Sequence, residues 1–262
     1  MLINYKNFKK IFPLSLKYSQ NTKGVLITDR YIIDHNLRSL LVAYILNNKY
    51  QFNPYLITGR INLNKKDIYG LVNLKKFSFN YIFLNLSNFI ILLKSILKLL
   101  SFYTITLFVK DKISWLINNF KCKNINLGDL IYDYYIRYDL KFINPSIYEK
   151  IFFKCLFSAV TKIYYIDYIV KKYKIKIFVS NQSSYTSYGN LVLRYGTKFK
   201  IKTFFNSYNF IRKYNNYKES LASGFAIDTD KLDENIKKIS KKKIEKFYNL
   251  RTKGKFFGKF VP

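Results

Sequence analysis

The stretch Lys174-Ile-Lys-Ile-Phe-Val-Ser180 decides the fold, because a short apolar run between polar flanks is typical of a buried parallel strand. Asn181-Gln-Ser-Ser-Tyr-Thr-Ser187 follows it as a polar loop. Tyr188–Tyr195 has helical spacing and is expected to stop at Gly196, and Lys200-Ile-Lys-Thr-Phe-Phe205 predicts the next strand. Strand, helix and strand in this order form a βαβ unit.

A second βαβ unit lies near the start of the chain. Gly24-Val-Leu-Ile-Thr28 predicts a buried strand, and Pro54-Tyr-Leu-Ile-Thr-Gly59 predicts a strand that runs into a turn. Between them Asp29–His35 is polar enough for a loop, Asp34 is placed to cap a helix, and apolar residues recur at helical spacing over 37–45. Two such units joined by long, aromatic-rich helices predict an α/β fold with a doubly wound, Rossmann-like parallel sheet.

Binding residues are expected in the loops at the carboxyl ends of these strands, because ligands of doubly wound sheets bind there. The ends are expected at Asp29–His35, Gly59–Arg60, Ser180–Ser187 and Asn206–Tyr208.

The segments between and after the two units have weaker patterns. Four of them are expected to be a short helix or irregular connection over 65–79, a short helix over 111–120, a helix over 130–138, and a long helix from Asn144-Pro145 to Lys172. Lysine runs near the end predict a solvated helix. The chain is therefore divided into an α/β domain over 1–229 and a Lys-rich helical tail over 230–262.

The most apolar stretch, Tyr81–Val109, has apolar residues at three-to-four spacing. Lys94 and Lys98 lie four residues apart on another face, near the middle of the stretch. A lysine at the centre of a bilayer costs about 3 kcal/mol. The pattern favours a buried amphipathic helix. A helix on a membrane surface and a membrane span are the alternatives.

The formal charge of +31 does not by itself indicate a nucleic-acid partner. Of 46 basic residues only seven are Arg, and 25 Tyr and 24 Phe accompany 9 Gly and 4 Pro. An AT-rich genome produces this composition without selection for a polyanion, and readers of bases or phosphates favour the bidentate arginine fork. An RNA-associated protein of the organellar ribosomal type remains the alternative, with non-specific nucleic-acid binding expected in either case.

Few residues are available for metal or nucleophilic chemistry. Cys122 and Cys155 have no paired spacing, and His35 is the one histidine, so a disulfide scaffold, a zinc site and a Ser–His–Asp site are unsupported. No metal or cofactor is expected. The first residues show no secretory signal, which predicts a cytoplasmic protein. Its lysines would attract it to the anionic inner face of the membrane.

The segment Asn126-Leu-Gly-Asp-Leu-Ile-Tyr-Asp-Tyr-Tyr-Ile-Arg-Tyr138 is the most distinctive motif. On a helix, Asp129, Asp133 and Arg137 lie on one face at intervals of four residues. One interpretation is a capping aspartate followed by a surface ion pair, which stabilises by only about 0.5 kcal/mol. The other is a polar ridge that serves a binding site.

The run Gly-Asp-Leu-Ile-Tyr-Asp followed by Arg resembles a segment of bacterial capsule and surface-polysaccharide biosynthesis proteins, which are glycosyltransferase-like with a two-domain GT-B architecture. Phe178-Val-Ser-Asn-Gln-Ser-Ser-Tyr-Thr-Ser-Tyr-Gly189 is similar to the strand, Ser/Tyr loop and helix start of the same family. The likeness covers roughly 24–260. It implies the N-terminal, acceptor-side half of such an enzyme, which would need a second domain or chain to bind the nucleotide-sugar.

The resemblance also implies a site. Asp129, Asp133 and Arg137 would be the catalytic residues facing the interdomain cleft, and a glycan or glycolipid would be the acceptor. Substrate-binding residues would be Asn181, Ser183, Ser184, Tyr185 and Tyr188, with His35 added to them. The alternatives stay open: the Ser/Tyr loop fits an ordinary strand-to-helix connection, and His35 fits a loop beside a helix start.

Overall fold

Six strands form the main sheet of the computed structural model. The structure describes residues 16–19, 22–29, 33–58, 74–77, 79, 85–139, 146–181, 187–206 and 211–221. The chain divides into compact units Met1–Gly224 and Phe225–Pro262, and all described residues belong to the first. The predicted tail over 230–262 lies outside the described residues.

The strands and helices alternate along much of the chain. The strands are β1 (Gly24–Thr28), β2 (Asn53–Ile57), β3 (Lys75–Phe77), β4 (Lys121–Cys122), β5 (Ile125–Asn126), β6 (Ile175–Ser180), β7 (Lys202–Asn206) and β8 (Ile211–Tyr214). The helices are α1 (Ile33–Tyr50), α2 (Leu86–Leu107), α3 (Lys112–Asn119), α4 (Gly128–Asp139), α5 (Lys150–Lys172), α6 (Tyr188–Lys198) and α7 (Tyr217–Leu221). Strands β4 and β5 form a separate antiparallel hairpin.

The strand order in the main sheet is β3-β2-β1-β6-β7-β8. All neighbours are parallel except β8, which runs antiparallel to β7 at the edge. The chain moves one way across the sheet from β1 to β3 and the other way from β6 to β8, so its direction reverses between β1 and β6. The predicted α/β class and the parallel pairing of the four predicted strands are confirmed.

Helices cover both faces of the sheet. On one face Val25, Ile27 and Val179 pack with Leu40 and Ala43 of α1. On the other face the alternate strand residues belong to a larger core shared with α5 and α6, because successive strand side chains point to opposite faces. These include Leu26, Tyr55, Ile57, Phe178, Ile163, Ile166, Leu191 and Val192. Burial on both faces explains why apolar residues occupy adjacent positions in these strands and do not alternate with polar ones.

Several boundaries differ from the sequence-based expectations. The segment predicted as a helix or irregular connection over 65–79 contains β3, which pairs with β2. Asp34 lies inside α1 instead of capping it, because the helix begins at Ile33. The long helix begins at Lys150, five residues after Pro145, with Glu149 as its N-cap.

Gly196 does not end α6, although it was expected to. The helix continues to Lys198, and Lys200 takes the left-handed conformation (φ 56°) after it. The amide of Ile201 then donates to the carbonyl of Gly196 at 2.8 Å, which closes the helix end. Gly196 instead lets α6 approach the sheet, since a Cβ there would collide with Thr203 Oγ1 and the Phe178 ring.

Helix α2 confirms that the apolar stretch is helical. Asn85 caps it, because its side chain accepts a hydrogen bond from the amide of Asn88 at 2.8 Å. By length and composition alone the helix could cross a membrane, and 28% of its most apolar window is buried in the protein. One face packs against α5, and the opposite face is exposed.

Candidate functional site

Polar side chains gather at the carboxyl ends of four neighbouring parallel strands. Thr28 ends β1, Thr58 follows β2, Ser180 ends β6 with Asn181 directly after it, and Asn206 ends β7. Together with Asp29 and with Ser39 of α1 they form what we call the carboxyl-edge network. All of its members except Asp29 are fully buried. The network lies where the chain reverses direction across the sheet, which is where ligands of open α/β sheets bind.

Asn181 is the centre of this network. Its amide donates to Thr28 Oγ1 at 3.1 Å, and its side-chain Nδ2 donates to the Thr28 carbonyl at 2.9 Å. Its Oδ1 accepts from Ser39 Oγ, and Asn206 Nδ2 donates to Ser39 Oγ at 3.0 Å. Asn181 therefore joins the ends of β1, β6 and β7 to α1, and it acts as a positioning residue.

Asp29 is the one carboxylate of the network and is only half-buried. Thr58 Oγ1 donates to Asp29 Oδ2 at 2.8 Å, which fixes the carboxylate across the ends of β1 and β2. A carboxylate held in this way can accept a further hydrogen bond, or a proton, from a hydroxyl group of a ligand.

A lysine lies close to the network on the α5 side. Ser180 Oγ donates to the Gly189 carbonyl at 2.9 Å, so the first turn of α6 sits against the end of β6. The adjacent Tyr188 is buried, and Lys162 Nζ lies 5.5 Å from the centre of its ring. Burial lowers the pKa of Lys162 to about 8, an effect that the neighbouring Cys155 thiol partly opposes. The carboxylate at the strand ends is therefore accompanied by a partly buried lysine and a helix N-terminus on the α5 side.

Asp129 has a partner that the sequence pattern did not reveal. Arg194 of α6 is fully buried and forms a bidentate ion pair with Asp129, at 2.7 Å from Nη1 to Oδ1 and 2.6 Å from Nη2 to Oδ2. Arg194 Nη1 also donates to the carbonyl of Asn126 at 2.8 Å. This pair ties the start of α4 to α6. Within the described part of the chain, no hydrogen bond joins Asp129 to the carboxyl-edge network.

The other predicted site residues fall into three groups. Asp133 lies one turn after Asp129 on α4 and is half-buried. The backbone of Arg137 is helical and belongs to α4. The backbone of His35 is also helical, so this residue belongs to the first turn of α1 and not to a loop. Ser183, Ser184 and Tyr185 lie outside the described residues.

Comparisons with protein-family models, with curated proteins and with solved structures give no match.

Several residues of the network were not singled out from the sequence. Thr28, Ser39 and Thr58 are ordinary hydroxyl residues in a chain rich in polar side chains. The available signal was positional, since Thr28, Thr58 and Asn206 each come at or directly after the end of an apolar strand. Arg194 gave no such signal, because nothing in the spacing relates it to a carboxylate 65 residues earlier.

The network supports hydroxyl recognition better than metal chemistry. Among the residues that the structure describes, no three His, Cys, Asp or Glu side chains form a group that could hold a metal ion. The amide and hydroxyl groups of the network are buried and bond to one another, so they hold the strand ends in place. The half-buried Asp29 carboxylate is the member that can accept a hydrogen bond from a sugar hydroxyl.

Proposed function

We propose that this chain is the acceptor-side, Rossmann-like domain of a GT-B glycosyltransferase-like protein of surface-polysaccharide biosynthesis. The observation that carries the proposal is the carboxyl-edge network, whose buried amide and hydroxyl groups hold the half-buried Asp29 carboxylate at the reversal point of a parallel sheet. A glycan or glycolipid acceptor would lie over this edge. The donor would be a nucleotide-sugar held by a second domain or chain.

Asp29 is the residue we assign to the acceptor. In a glycosyl transfer the acceptor oxygen forms a bond to the anomeric carbon while the bond from that carbon to the diphosphate breaks. The acceptor hydroxyl loses its proton to a base, which Asp29 would supply. The departing diphosphate needs positive charge or a helix N-terminus, and Lys162 with the first turn of α6 provides both beside the network.

This proposal assigns the catalytic role to Asp29, although the motif suggested Asp129, Asp133 and Arg137. The bidentate pair with Arg194 gives Asp129 a structural task. Substitution of Asp133 distinguishes a ligand site on α4 from a ligand site at the carboxyl edge of the sheet. The protein is proposed to be cytoplasmic and peripheral to the inner face of the membrane, where glycolipid acceptors lie.

Saturation-transfer NMR with a panel of mono- and disaccharides tests this function. We expect weak binding by the wild-type chain that Asp29→Asn reduces, and no measurable transfer or hydrolysis of a nucleotide-sugar by the chain alone. Asp111→Asn is the matched control, because Asp111 caps α3 and Asn caps a helix equally well. Loss of binding in Asp133→Asn, with Asp29→Asn unaffected, would move the site to α4. Absence of any saccharide binding would remove the proposal.

A basic groove favours a second candidate function, RNA association. The groove lies at the opposite, amino edge of the sheet and has a volume of about 1000 Å³. Its lining includes seven lysines: Lys23, Lys123, Lys171, Lys174, Lys176, Lys200 and Lys202. The exposed ring of Phe199 also lines it, and a single-stranded nucleic acid binds to such a combination of lysines and an aromatic ring.

A further inference from the structure

The outer face of α2 is exposed and apolar along the whole helix. Its large exposed side chains are Leu86, Phe89, Ile90, Leu93, Ile96, Leu97, Leu100, Ile105 and Leu107. Leu97, near the middle, is 57% exposed. At 1.5 Å per residue, the 22 residues of the helix give a stripe roughly 30 Å long. Soluble proteins rarely leave so long a row of leucine and isoleucine side chains in water.

The inner face of α2 is the more polar of the two. Three of the six buried residues of the helix are polar, Asn88, Ser95 and Thr106, and the other three are Ile91, Leu99 and Phe102. Ser95 Oγ donates to the carbonyl of Ile91 at 2.8 Å. A helix that belonged only to a soluble core would show the opposite arrangement, with its apolar stripe turned inward. The outer stripe is therefore suited to an apolar environment outside the described protein.

Aromatic and basic residues surround the C-terminal end of this stripe. Phe108 is 85% exposed and directly follows the helix. The Tyr103 ring stacks on Tyr148 at 6.3 Å and on Phe153 at 6.5 Å, and both of these are exposed. Four exposed lysines accompany the stripe and its aromatic end: Lys94, Lys110, Lys150 and Lys154. Aromatic rings and lysines beside an apolar stripe match the interface of a bilayer with anionic headgroups.

We propose that the outer face of α2 docks on an anionic lipid bilayer, with the helix lying in the plane of the interface. A transmembrane orientation does not fit the packing of the other face. Phe102 on that face contacts the rings of Phe120 and Phe152 at 5.2 and 6.1 Å, so α2 could cross the bilayer only by taking the protein core with it. This inference rests on the membrane-peripheral location in the proposed function and names the surface responsible for it. Vesicle binding and saccharide binding are measured separately, so failure of one is distinguishable from failure of the other.

Vesicle co-sedimentation of the full chain tests the docking surface. The probes are vesicles of phosphatidylcholine alone and of phosphatidylcholine with about 30% phosphatidylglycerol, a fraction that gives an anionic surface. We expect binding that depends on phosphatidylglycerol and weakens as salt rises from ~0.05 to ~0.5 M. Leu93→Gln/Leu97→Gln should reduce the partition coefficient at least about tenfold, because it removes two apolar side chains from the stripe. Glutamine preserves the helix, since its helix propensity is close to that of leucine.

Ile45→Gln is the matched control. Ile45 is 53% exposed on α1, which covers the opposite face of the sheet from α5 and therefore from α2. This variant should bind vesicles as the wild type does. Equal losses in both variants would overturn the proposal. The proposal would also be overturned if the wild type did not bind vesicles but formed a dimer, and if the Leu93→Gln/Leu97→Gln variant were monomeric. That result would identify a second copy of the chain as the occupant of the stripe. Absence of both vesicle binding and dimerisation would also overturn it.

Discussion

The ion pair between Arg194 and Asp129 compensates a charge that is buried in the core. Arg194 is fully buried, whereas the side chain of Asp129 is partly exposed, so the carboxylate brings the compensating charge to the edge of the core. A bidentate pair has good geometry for this task. It nevertheless stabilises the fold mainly by avoiding an unpaired charge, because desolvation offsets most of the attraction between the two groups.

We expect Asp129→Ala to lower the free energy of unfolding by about 3 kcal/mol, because it leaves the Arg194 guanidinium buried without a counter-charge. The double variant Asp129→Ala/Arg194→Met should recover much of that loss, since methionine removes the charge and fills similar space. Denaturant unfolding of the wild type, both single variants and the double variant measures the coupling. Additive losses would mean that the pair is not coupled.

Lys162 should make stability depend on pH in the alkaline range. Its pKa is lowered by burial from 10.5 in the unfolded chain to about 8 in the folded protein. The unfolded chain therefore binds more protons between these two values, and the contribution of Lys162 to stability rises with pH across that window. Below pH 8 the penalty for its buried charge is fully present.

Lys162→Met should consequently be more stable than the wild type at pH 7, by about 2 kcal/mol, and this advantage should shrink toward pH 10. Urea unfolding at several pH values checks it. Lys154→Met, at an exposed position of the same helix, is the control. It should shift the plot of unfolding free energy against pH without changing its shape. A Lys162→Met curve parallel to the wild-type curve would contradict the assignment of a lowered pKa.

At the scale of elements, helix ends show where local sequence rules failed. Three helices lead into strands through left-handed residues, Gln51 (φ 56°), Lys174 (φ 50°) and Lys200 (φ 56°), where glycine is the usual residue. With nine glycines in 262 residues, the chain seldom marks its helix ends in the usual way. The expected end at Gly196 was wrong for this reason, because tertiary packing and not a turn requires that glycine.

Gly196 and Lys200 should respond to substitution with opposite signs. Helix propensity alone predicts that Gly196→Ala stabilises the protein by about 1 kcal/mol. We expect it to destabilise by about 2 kcal/mol, because the added methyl group would collide with Thr203 and Phe178. Lys200→Gly should stabilise by roughly 0.5–1 kcal/mol, since glycine adopts a left-handed backbone without steric cost.

Thermal unfolding of the two variants measures both effects, and Lys198→Gly is the control. Lys198 is the last residue of α6, where glycine gains nothing from a left-handed backbone and loses helix propensity. It should therefore destabilise. A stabilising Gly196→Ala would show that α6 can move away from the sheet.

Strand prediction succeeded where helix-end prediction did not. Each of the four predicted parallel strands has adjacent buried residues on both faces, and in each a run of apolar residues identifies it. The exposed Lys176 and Lys202 lie near the amino ends of β6 and β7. β3 was missed because it has only three residues, two of them lysines, and β8 because it is a four-residue edge strand with two basic residues at its centre. The site was predictable as a position, at the strand ends. Its hydrogen-bond partners were not, since Thr28 and Asn181 are 153 residues apart.

At the scale of the whole molecule, the described surface carries two features on different elements. The apolar stripe of α2 lies on the side of the sheet covered by α5, and the lysine-lined groove lies at the amino edge. The carboxyl-edge network is at the opposite edge from that groove. A polyanion in the groove would thus leave the proposed acceptor site open, so binding of RNA and binding of saccharide can be measured independently.

The excess of lysine over arginine predicts how the protein binds RNA. With 39 lysines and seven arginines, one of them buried in an ion pair, the protein has little that can read bases, because base recognition usually depends on bidentate arginine contacts. We expect weak binding that falls steeply with salt and is equal for different sequences, measured by fluorescence anisotropy with labelled RNA homopolymers and a structured RNA. Lys23→Gln, Lys176→Gln and Lys202→Gln in the groove should each reduce the salt slope by about one, and by the same amount for every RNA sequence. Lys154→Gln, outside the groove, is the control and should leave the slope unchanged. Nanomolar affinity for one particular RNA at about 0.15 M salt would contradict this account of the charge and would favour the RNA-associated function over the glycosyltransferase-like one.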